Sequence, residues 1–182
     1  FWTAPFFMHP TNNNILYVAS RKLRKSINAG QTWEIISESF PQAINTMAQN
    51  KNFPEVMILA AAGNSYIANP VVAVSTDEGV NWTRVHTNIP DAPRFVPSVK
   101  TDPFDRNTVY VVRSGFNSGK VYKSTDLGIT WTNISGDLPN IPHNELIIDP
   151  KIPGSMYVAN DFGVYQTSNG GLNWTRMGNN MP

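Results

Sequence analysis

The side chains best able to bind or transform a ligand are Tyr66, His86, Asp91, Arg94, Arg113, Phe116, Asp137, His143, Glu145 and Asp161. They fall in segments whose length and spelling change along the chain, where binding groups on a fixed scaffold usually lie. Asp161 belongs to the run Asn160-Asp161-Phe162-Gly163-Val164-Tyr165. A carboxylate there could do acid–base chemistry if a second carboxyl group faced it across the reacting bond. Asp91, Asp137 and Glu145 are available as the second group, and the spacing selects none of them. Asp161 and Gly163 also read as a tight hairpin turn with no chemical role. His9, His86 and His143 lack ligand-like spacing, and the acidic residues spell no calcium loop. With no cysteine in the chain, thiolate sites and disulfides are excluded. No metal and no cofactor is expected.

Charge gives little attraction for a polyanion. Lys and Arg number 14 against 13 acidic residues, for a net charge of +1. The basic group Arg21, Lys22, Arg24 and Lys25 reads as a solvated strand and turn, so no nucleic-acid partner is expected. No apolar run approaches the roughly 20 residues that cross a bilayer, so no membrane insertion is expected. The charged share is only 15%, which leaves Asn, Ser and Thr to carry the polar surface. The chain opens Phe1-Trp2-Thr3 and reads as the interior of a longer protein.

The elements that position these side chains come from a repeat. Ser26-Ile27-Asn28-Ala29-Gly30-Gln31-Thr32-Trp33 recurs as Ser75-Thr76-Asp77-Glu78-Gly79-Val80-Asn81-Trp82. It recurs again as Ser124-Thr125-Asp126-Leu127-Gly128-Ile129-Thr130-Trp131 and Thr167-Ser168-Asn169-Gly170-Gly171-Leu172-Asn173-Trp174. The tryptophans stand 49, 49 and 43 residues apart. Upstream of each box lies a turn followed by an apolar run, as in Thr101-Asp102-Pro103 and Val109-Tyr110-Val111-Val112. Downstream lies an apolar residue followed by proline: Phe40-Pro41, Ile89-Pro90, Leu138-Pro139 and Met181-Pro182. The repeats therefore divide as 1–41, 42–90, 91–139 and 140–182.

Each repeat reads as four short strands, by its alternation, its β-branched and aromatic content and its Gly, Asn, Asp and Pro punctuation. The box makes the turn between the third and fourth strands, and the fourth strand starts at the Trp. Units of this length suggest β-propeller blades packed face to face. Residues 20–22, 62–70, 113–119 and 160–163 would join second strands to third. Residues 37–43, 86–97 and 135–144 would join blade to blade.

The boxes resemble the Asp-box, Ser-x-Asp-x-Gly-x-Thr-Trp, of sialidases, sortilin-type propellers and xyloglucan-degrading endoglucanases. In style they are closest to repeats of large secreted bacterial proteins. The resemblance implies an all-β fold of four Asp-box blades, an incomplete arc of a larger β-propeller. It implies structural roles for Asn28, Gly30, Trp33, Asp77, Gly79, Trp82, Asp126, Gly128, Trp131, Asn169, Gly171 and Trp174. The Asn160–Tyr165 run is also similar to the Asp-x-Gly-Gly-x-Tyr hairpin of the xyloglucan-degrading family, which makes Asp161 the carried-over catalytic candidate. The Arg94-Phe95-Val96-Pro97 segment has no set of arginines around it of the kind sialidase chemistry needs. The function expected is a non-catalytic binding or scaffold segment of a secreted or cell-surface protein, bacterial in style. Its partners would be the remaining blades of the parent chain and a glycan or protein ligand. The alternative is part of a glycoside hydrolase.

Overall fold

A computed structural model describes residues 4–62, 70–91 and 93–178. The described residues form four separate four-stranded sheets, each an antiparallel meander in sequence order. The first blade contains β1 (Phe6–His9), β2 (Asn12–Ala19), β3 (Leu23–Ser26) and β4 (Glu34–Ile35). The second contains β5 (Ile44–Gln49), β6 (Met57–Ala61), β7 (Val71–Ser75) and β8 (Thr83–Arg84), followed by a 3-10 turn at His86–Asn88. The third contains β9 (Ser98–Thr101), β10 (Val109–Val112), β11 (Val121–Ser124) and β12 (Thr132–Asn133). The fourth contains β13 (His143–Ile148), β14 (Met156–Asn160), β15 (Gly163–Thr167) and β16 (Thr175–Arg176). The fourth strands are shorter than the sequence implies and begin one residue after the Trp. In the first two blades the indole is drawn back by its box: Nε1 of Trp33 donates to the Gly30 carbonyl at 3.0 Å and that of Trp82 to the Gly79 carbonyl at 2.8 Å.

The alternation of each sheet decides which neighbour it meets. In the second blade Met57, Leu59, Ala61, Val71 and Ala73 join Tyr17, Leu23 and Phe40 of the first repeat in one core. Ile58, Ala60, Val72 and Val74 point the other way and join Val99, Val109, Val111 and Tyr122 of the third. Tyr110, Val112 and Val121 then meet Leu146, Met156 and Val158 of the fourth. A blade covered on both faces reads as a continuous apolar run, which is how Met57-Ile58-Leu59-Ala60-Ala61 is spelled. The outer face of the first blade leaves Phe6, Met8 and Ile35 exposed, and that of the fourth leaves Ile147 exposed. The arc is therefore open, as expected.

The turn before each second strand is built alike in all four blades. A side-chain acceptor takes the N–H two residues on: Asn50 Oδ1 from Asn52, Asp102 Oδ1 from Phe104 and Asp149 Oδ1 from Lys151. In the first blade His9 does this with Nδ1, which accepts the Thr11 N–H at 3.2 Å. The histidine that stands where the repeat has Asp or Asn closes the same turn.

The boxes share one hydrogen-bond pattern. In the third, Ser124 Oγ donates to Asp126 Oδ1 and accepts the Gly128 N–H, both at 2.7 Å. Asp126 Oδ1 also accepts the Thr130 N–H at 2.8 Å. Asn28 and Asn169 accept the corresponding N–H groups of Thr32 and Asn173. The two residues at the crest are left-handed in every box. The first is Ala29, Glu78, Leu127 or Gly170 and the second Gly30, Gly79, Gly128 or Gly171. At the first position there is room for a side chain: a Cβ on Gly170 would meet nothing within 4 Å, Glu78 reaches Lys25 of the first blade and Leu127 packs beside a core. At the second a side chain would face the preceding blade, and a Cβ on Gly128 would sit 2.7 Å from Val85.

The apolar residue before each repeat proline covers the Trp of the next box. Phe40 meets Trp82 edge-on with ring centroids 6.0 Å apart. Ile89 shares a core with Trp131, and Leu138 with Trp174. Trp131 and Trp174 are 8% and 4% exposed, whereas Trp33, in the first box, is 38% exposed.

Two predictions follow from the boxes. Gly170→Ala should cost about 1 kcal/mol for a left-handed alanine. Gly128→Ala should cost about 2–4 kcal/mol, because overpacking against Val85 adds to the same strain. Urea unfolding midpoints would compare them, and equal losses would show that the blade contact at Gly128 carries no weight. The second concerns pH. Burial pushes the Asp77 carboxyl up, but N–H groups of Asn81 and Val80 and the Ser75 hydroxyl outweigh it and hold it low. Thr130 and Ser124 hold the Asp126 carboxyl low as well. A depressed folded value stabilises the protein above the unfolded value of about 3.9 and is lost as pH falls through the folded one. The urea midpoint should therefore drop between pH 5 and pH 2. The double variant Asp77→Asn, Asp126→Asn should fold at pH 7, as the natural Asn boxes do, and show a shallower drop. An undiminished drop would assign the acid sensitivity to other carboxylates.

Candidate functional site

The structure gathers part of the candidate set at the end of the second and third blades that carries the hairpin 113–120. His86, Asp91 and Arg113 line one cavity of about 260 Å³ with Pro70, Val72, Thr87, Ile89, Pro93 and Val96. The 3-10 turn after β8 presents His86, and the connection to β9 presents Asp91. Arg113 follows β10. Its guanidinium is buried, donates to the Pro90 carbonyl at 2.6 Å and lies over the Tyr122 ring at 5.1 Å. Asp91 holds a left-handed backbone, φ +68°. Its Oδ2 accepts the Tyr122 hydroxyl and the Gly119 N–H, which hold the carboxyl low. Burial and the Asp91 charge push the Tyr122 hydroxyl up to about 12, so it stays a donor. Burial lowers the affinity of His86 for a proton, and its Nδ1 is buried with no hydrogen-bond partner among the described residues.

A second group surrounds the same hairpin. Arg94 runs across Gly115, where a Cβ would meet its Cδ at 3.1 Å. Lys120, only 3% exposed, donates from Nζ to the Gly115 carbonyl at 2.6 Å and to Asn140 Oδ1 at 3.2 Å. Asn140 in turn donates to Asn117 Oδ1 at 2.7 Å and accepts the Asn117 N–H at 2.6 Å. His143 is fully buried, with Nδ1 at 2.9 Å from the Ile141 carbonyl and Nε2 at 3.3 Å from Asn160 Nδ2. Burial depresses its pKa, and the Lys120 charge adds to that. Phe116, at the hairpin tip, is exposed.

The remaining candidates are placed elsewhere. Asp161 is exposed at the tip of the β14–β15 hairpin, where its Oδ1 accepts from Asn144 Nδ2 at 3.0 Å. Asp137 caps the fourth box, accepting the Trp174 N–H at 2.7 Å. Glu145 bridges blades: its Oε1 accepts from Ser98 Oγ and pairs with Lys100 Nζ, each at 2.7 Å. No hydrogen bond joins any two of Asp91, Asp137, Glu145 and Asp161. Among the described residues no cluster of His, Asp and Glu could hold a metal ion. Tyr66 lies outside the described residues. Sequence reasoning missed Lys120 and Tyr122, which sit in an alternating third strand whose lysines are expected in solvent. A signal exists in retrospect: Tyr122 occupies the register of Ala73 in the second blade, a position that faces a neighbouring blade.

No family model and no curated protein matches the sequence. Solved structures do. An ancestral GH74 enzyme superposes with a TM-score of 0.75 at 19% identity, over 97% of this chain and 24% of that one. The GH74 enzyme of Niastella koreensis gives 0.75 at 16% identity, over 96% and 29%. YCF48 from Cyanidioschyzon merolae gives 0.61 at 17% identity, over 94% and 54%. The chain thus spans roughly a quarter of the GH74 enzymes it matches. At these identities the likeness shows the fold, an all-β propeller architecture of which this chain is a segment.

Tyr122→Phe removes the hydroxyl that holds Asp91. The Asp91 carboxyl should return toward the ordinary range of about 3.9, and stability should fall by about 1 kcal/mol, the discounted value of a charge-assisted bond at a partly exposed site. A carboxyl-carbon NMR titration with a urea curve checks both. An unmoved Asp91 titration would mean that Gly119 alone sets it.

Proposed function

We propose that this chain is a non-catalytic binding or scaffold segment of a larger β-propeller, in a secreted or cell-surface bacterial protein. The observation that carries this reading is the commitment of the carboxylates. Asp161 bonds Asn144 within its own blade, and Asp137 and Glu145 tie blades together. Asp91 is held by Tyr122 and Gly119. Hydrolysis of a glycoside needs two such groups free to face one sugar, about 5–10 Å apart. The binding surface in this reading is the end of the second and third blades, with His86, Asp91 and Arg113 at its cavity. Its ligand is a glycan or a protein. The box side chains Asn28, Asp77, Asp126 and Asn169 are structural.

The structural partners in this reading are further blades of the same polypeptide. Exposed Phe6, Met8 and Ile35 on one side and Ile147 on the other support this, because such faces are costly in water. Trp33 lacks the cover that Phe40, Ile89 and Leu138 give the later tryptophans.

A second reading, a glycoside hydrolase whose site is completed by those further blades, is favoured by the likeness to GH74 enzymes, one of them a xyloglucanase from Xanthomonas campestris. Reducing-end release from xyloglucan separates the two. The longest polypeptide that carries this segment should give the same rate with Asp161→Asn as without it. A fall of a hundredfold or more, of the order general acid–base catalysis contributes, would move Asp161 into catalysis and sink the non-catalytic reading.

A further inference from the structure

We propose that the hairpin end of the third blade binds a carboxylate-bearing sugar, a hexuronate unit of an acidic polysaccharide, with Lys120 and Arg94 taking the carboxylate and Phe116 the ring. This rests on the reading of the segment as a binding module and names the ligand class.

The first observation is a buried cation with no countercharge among the described residues. Lys120 is 3% exposed, and its two acceptors, the Gly115 carbonyl and the Asn140 amide, are neutral. A lysine ammonium has three protons to donate, so one remains for a ligand. Two half-buried strand lysines have acidic partners instead: Lys25 pairs with Glu78 at 2.6 Å and Lys100 with Glu145 at 2.7 Å. Arg94 aggravates the imbalance. It lies over Gly115, the residue whose carbonyl holds Lys120, and among the described residues its hydrogen bond is to the Pro93 carbonyl at 3.3 Å. Burial makes the Lys120 charge costly, and the Arg94 charge makes it more so. Buried Arg113 stands at the start of the same hairpin, where the nearby acid, Asp91, offsets its charge. A buried, uncompensated cation next to a second one destabilises a fold unless an anion joins them. Such a combination marks a site.

The second observation selects the anion. Phe116 is 56% exposed at the tip of this hairpin. Gly115 and Asn117 on either side of it are left-handed, at φ +139° and +54°, which fixes the tip. Beside it stand the paired amides of Asn117 and Asn140, exposed donors and acceptors suited to hydroxyls. One flat apolar face, one compact cationic pair and a rim of amides match a ring that carries a carboxylate and hydroxyls. A nucleic acid calls for a stripe of cations that follows its phosphates, and the net charge of +1 provides none. An acidic peptide has the carboxylates but no flat face for Phe116.

Calorimetry on the chain with a galacturonate oligomer tests this, against a neutral galactose oligomer of equal length and an oligoglutamate. The acidic sugar should bind at least about tenfold more tightly than the neutral one, the share of one charge-assisted hydrogen bond, and added salt should weaken it. Phe116→Ala and Arg94→Gln should each lower the affinity about tenfold, the first with an unchanged unfolding midpoint and the second with an unchanged or raised one, because it removes a charge that opposes Lys120. Both residues are at the surface, so the test does not depend on Lys120→Met folding. Phe162→Ala, an exposed aromatic on the neighbouring hairpin, should bind as the parent does. Equal binding of the neutral oligomer, or full affinity in both variants, would overturn the proposal. Tighter binding of oligoglutamate would overturn it in favour of an acidic peptide. Binding of the neutral sugar alone, or silence across the panel, would overturn it while the non-catalytic reading stands or falls on the Asp161→Asn rates.

Discussion

Each blade of this protein is a sheet with two apolar faces, and no blade can cover either face by itself. The fold depends on that constraint. Single backbone bonds cross between blades, such as Ile44 N–H to the Ser20 carbonyl at 2.8 Å, but the four sheets share no strand, so no backbone ladder holds the arc together. What does is side-chain burial between neighbouring faces, in three successive cores. Stability in such an architecture is a sum of blade and interface contributions, and each interface must be matched in shape. The second blade meets this by using small residues: Ala60 and Ala61 in one strand, Ala73 in the next, all fully buried.

The boxes act on the same constraint from the edge of the sheet. A Ser or Thr hydroxyl and an Asp or Asn side chain take up the N–H groups of a turn that has two successive left-handed residues. The second of those lies so close to the preceding blade that only glycine fits, and the Trp that ends the box is covered by the residue before the preceding repeat's proline. One local motif thus does two things. It closes a hairpin between the third and fourth strands, and it registers the blade against its predecessor. The three signatures of the repeat are therefore not independent: the apolar-Pro pair of one repeat and the Trp of the next are opposite sides of one contact.

This explains what was legible in the sequence. Features that recur from blade to blade, such as the box in all four, the turn before the second strand and the Tyr-Val run in three, are short-range, so spelling alone reveals them. Even His9, which breaks the spelling, keeps the position and the bond. The candidate site was legible only in part, because it depends on contacts that occur once. Tyr122 and Asp91 are 31 residues apart, and nothing in an alternating strand tells which alternate residue meets a neighbour. Asp137 illustrates the opposite failure. Its place in a blade-to-blade connection suggested the hairpin end, but the connection passes the next box and the carboxylate caps Trp174 there. Glu145 was similarly absorbed by Ser98 and Lys100.

The same reasoning locates where this scaffold is free to acquire a ligand. Blade faces are occupied by packing, and the box edge by turn geometry that tolerates few substitutions. The hairpins between second and third strands carry neither burden. In the first blade the connection is Ser20, Arg21 and Lys22, and in the fourth it is Asp161 and Phe162, lengths that suffice only to reverse the chain. In the third blade it extends over residues 113–120, and its residues do not simply turn. Arg113 and Lys120 at its two ends are buried cations, and Asp91 from the incoming connection reaches both Gly119 and Tyr122. A longer loop costs little in closure entropy, but burying the Lys120 ammonium at its end, with only neutral acceptors among the described residues, is unfavourable for stability. That cost points toward a ligand, and not toward folding alone, as the reason for this hairpin's composition.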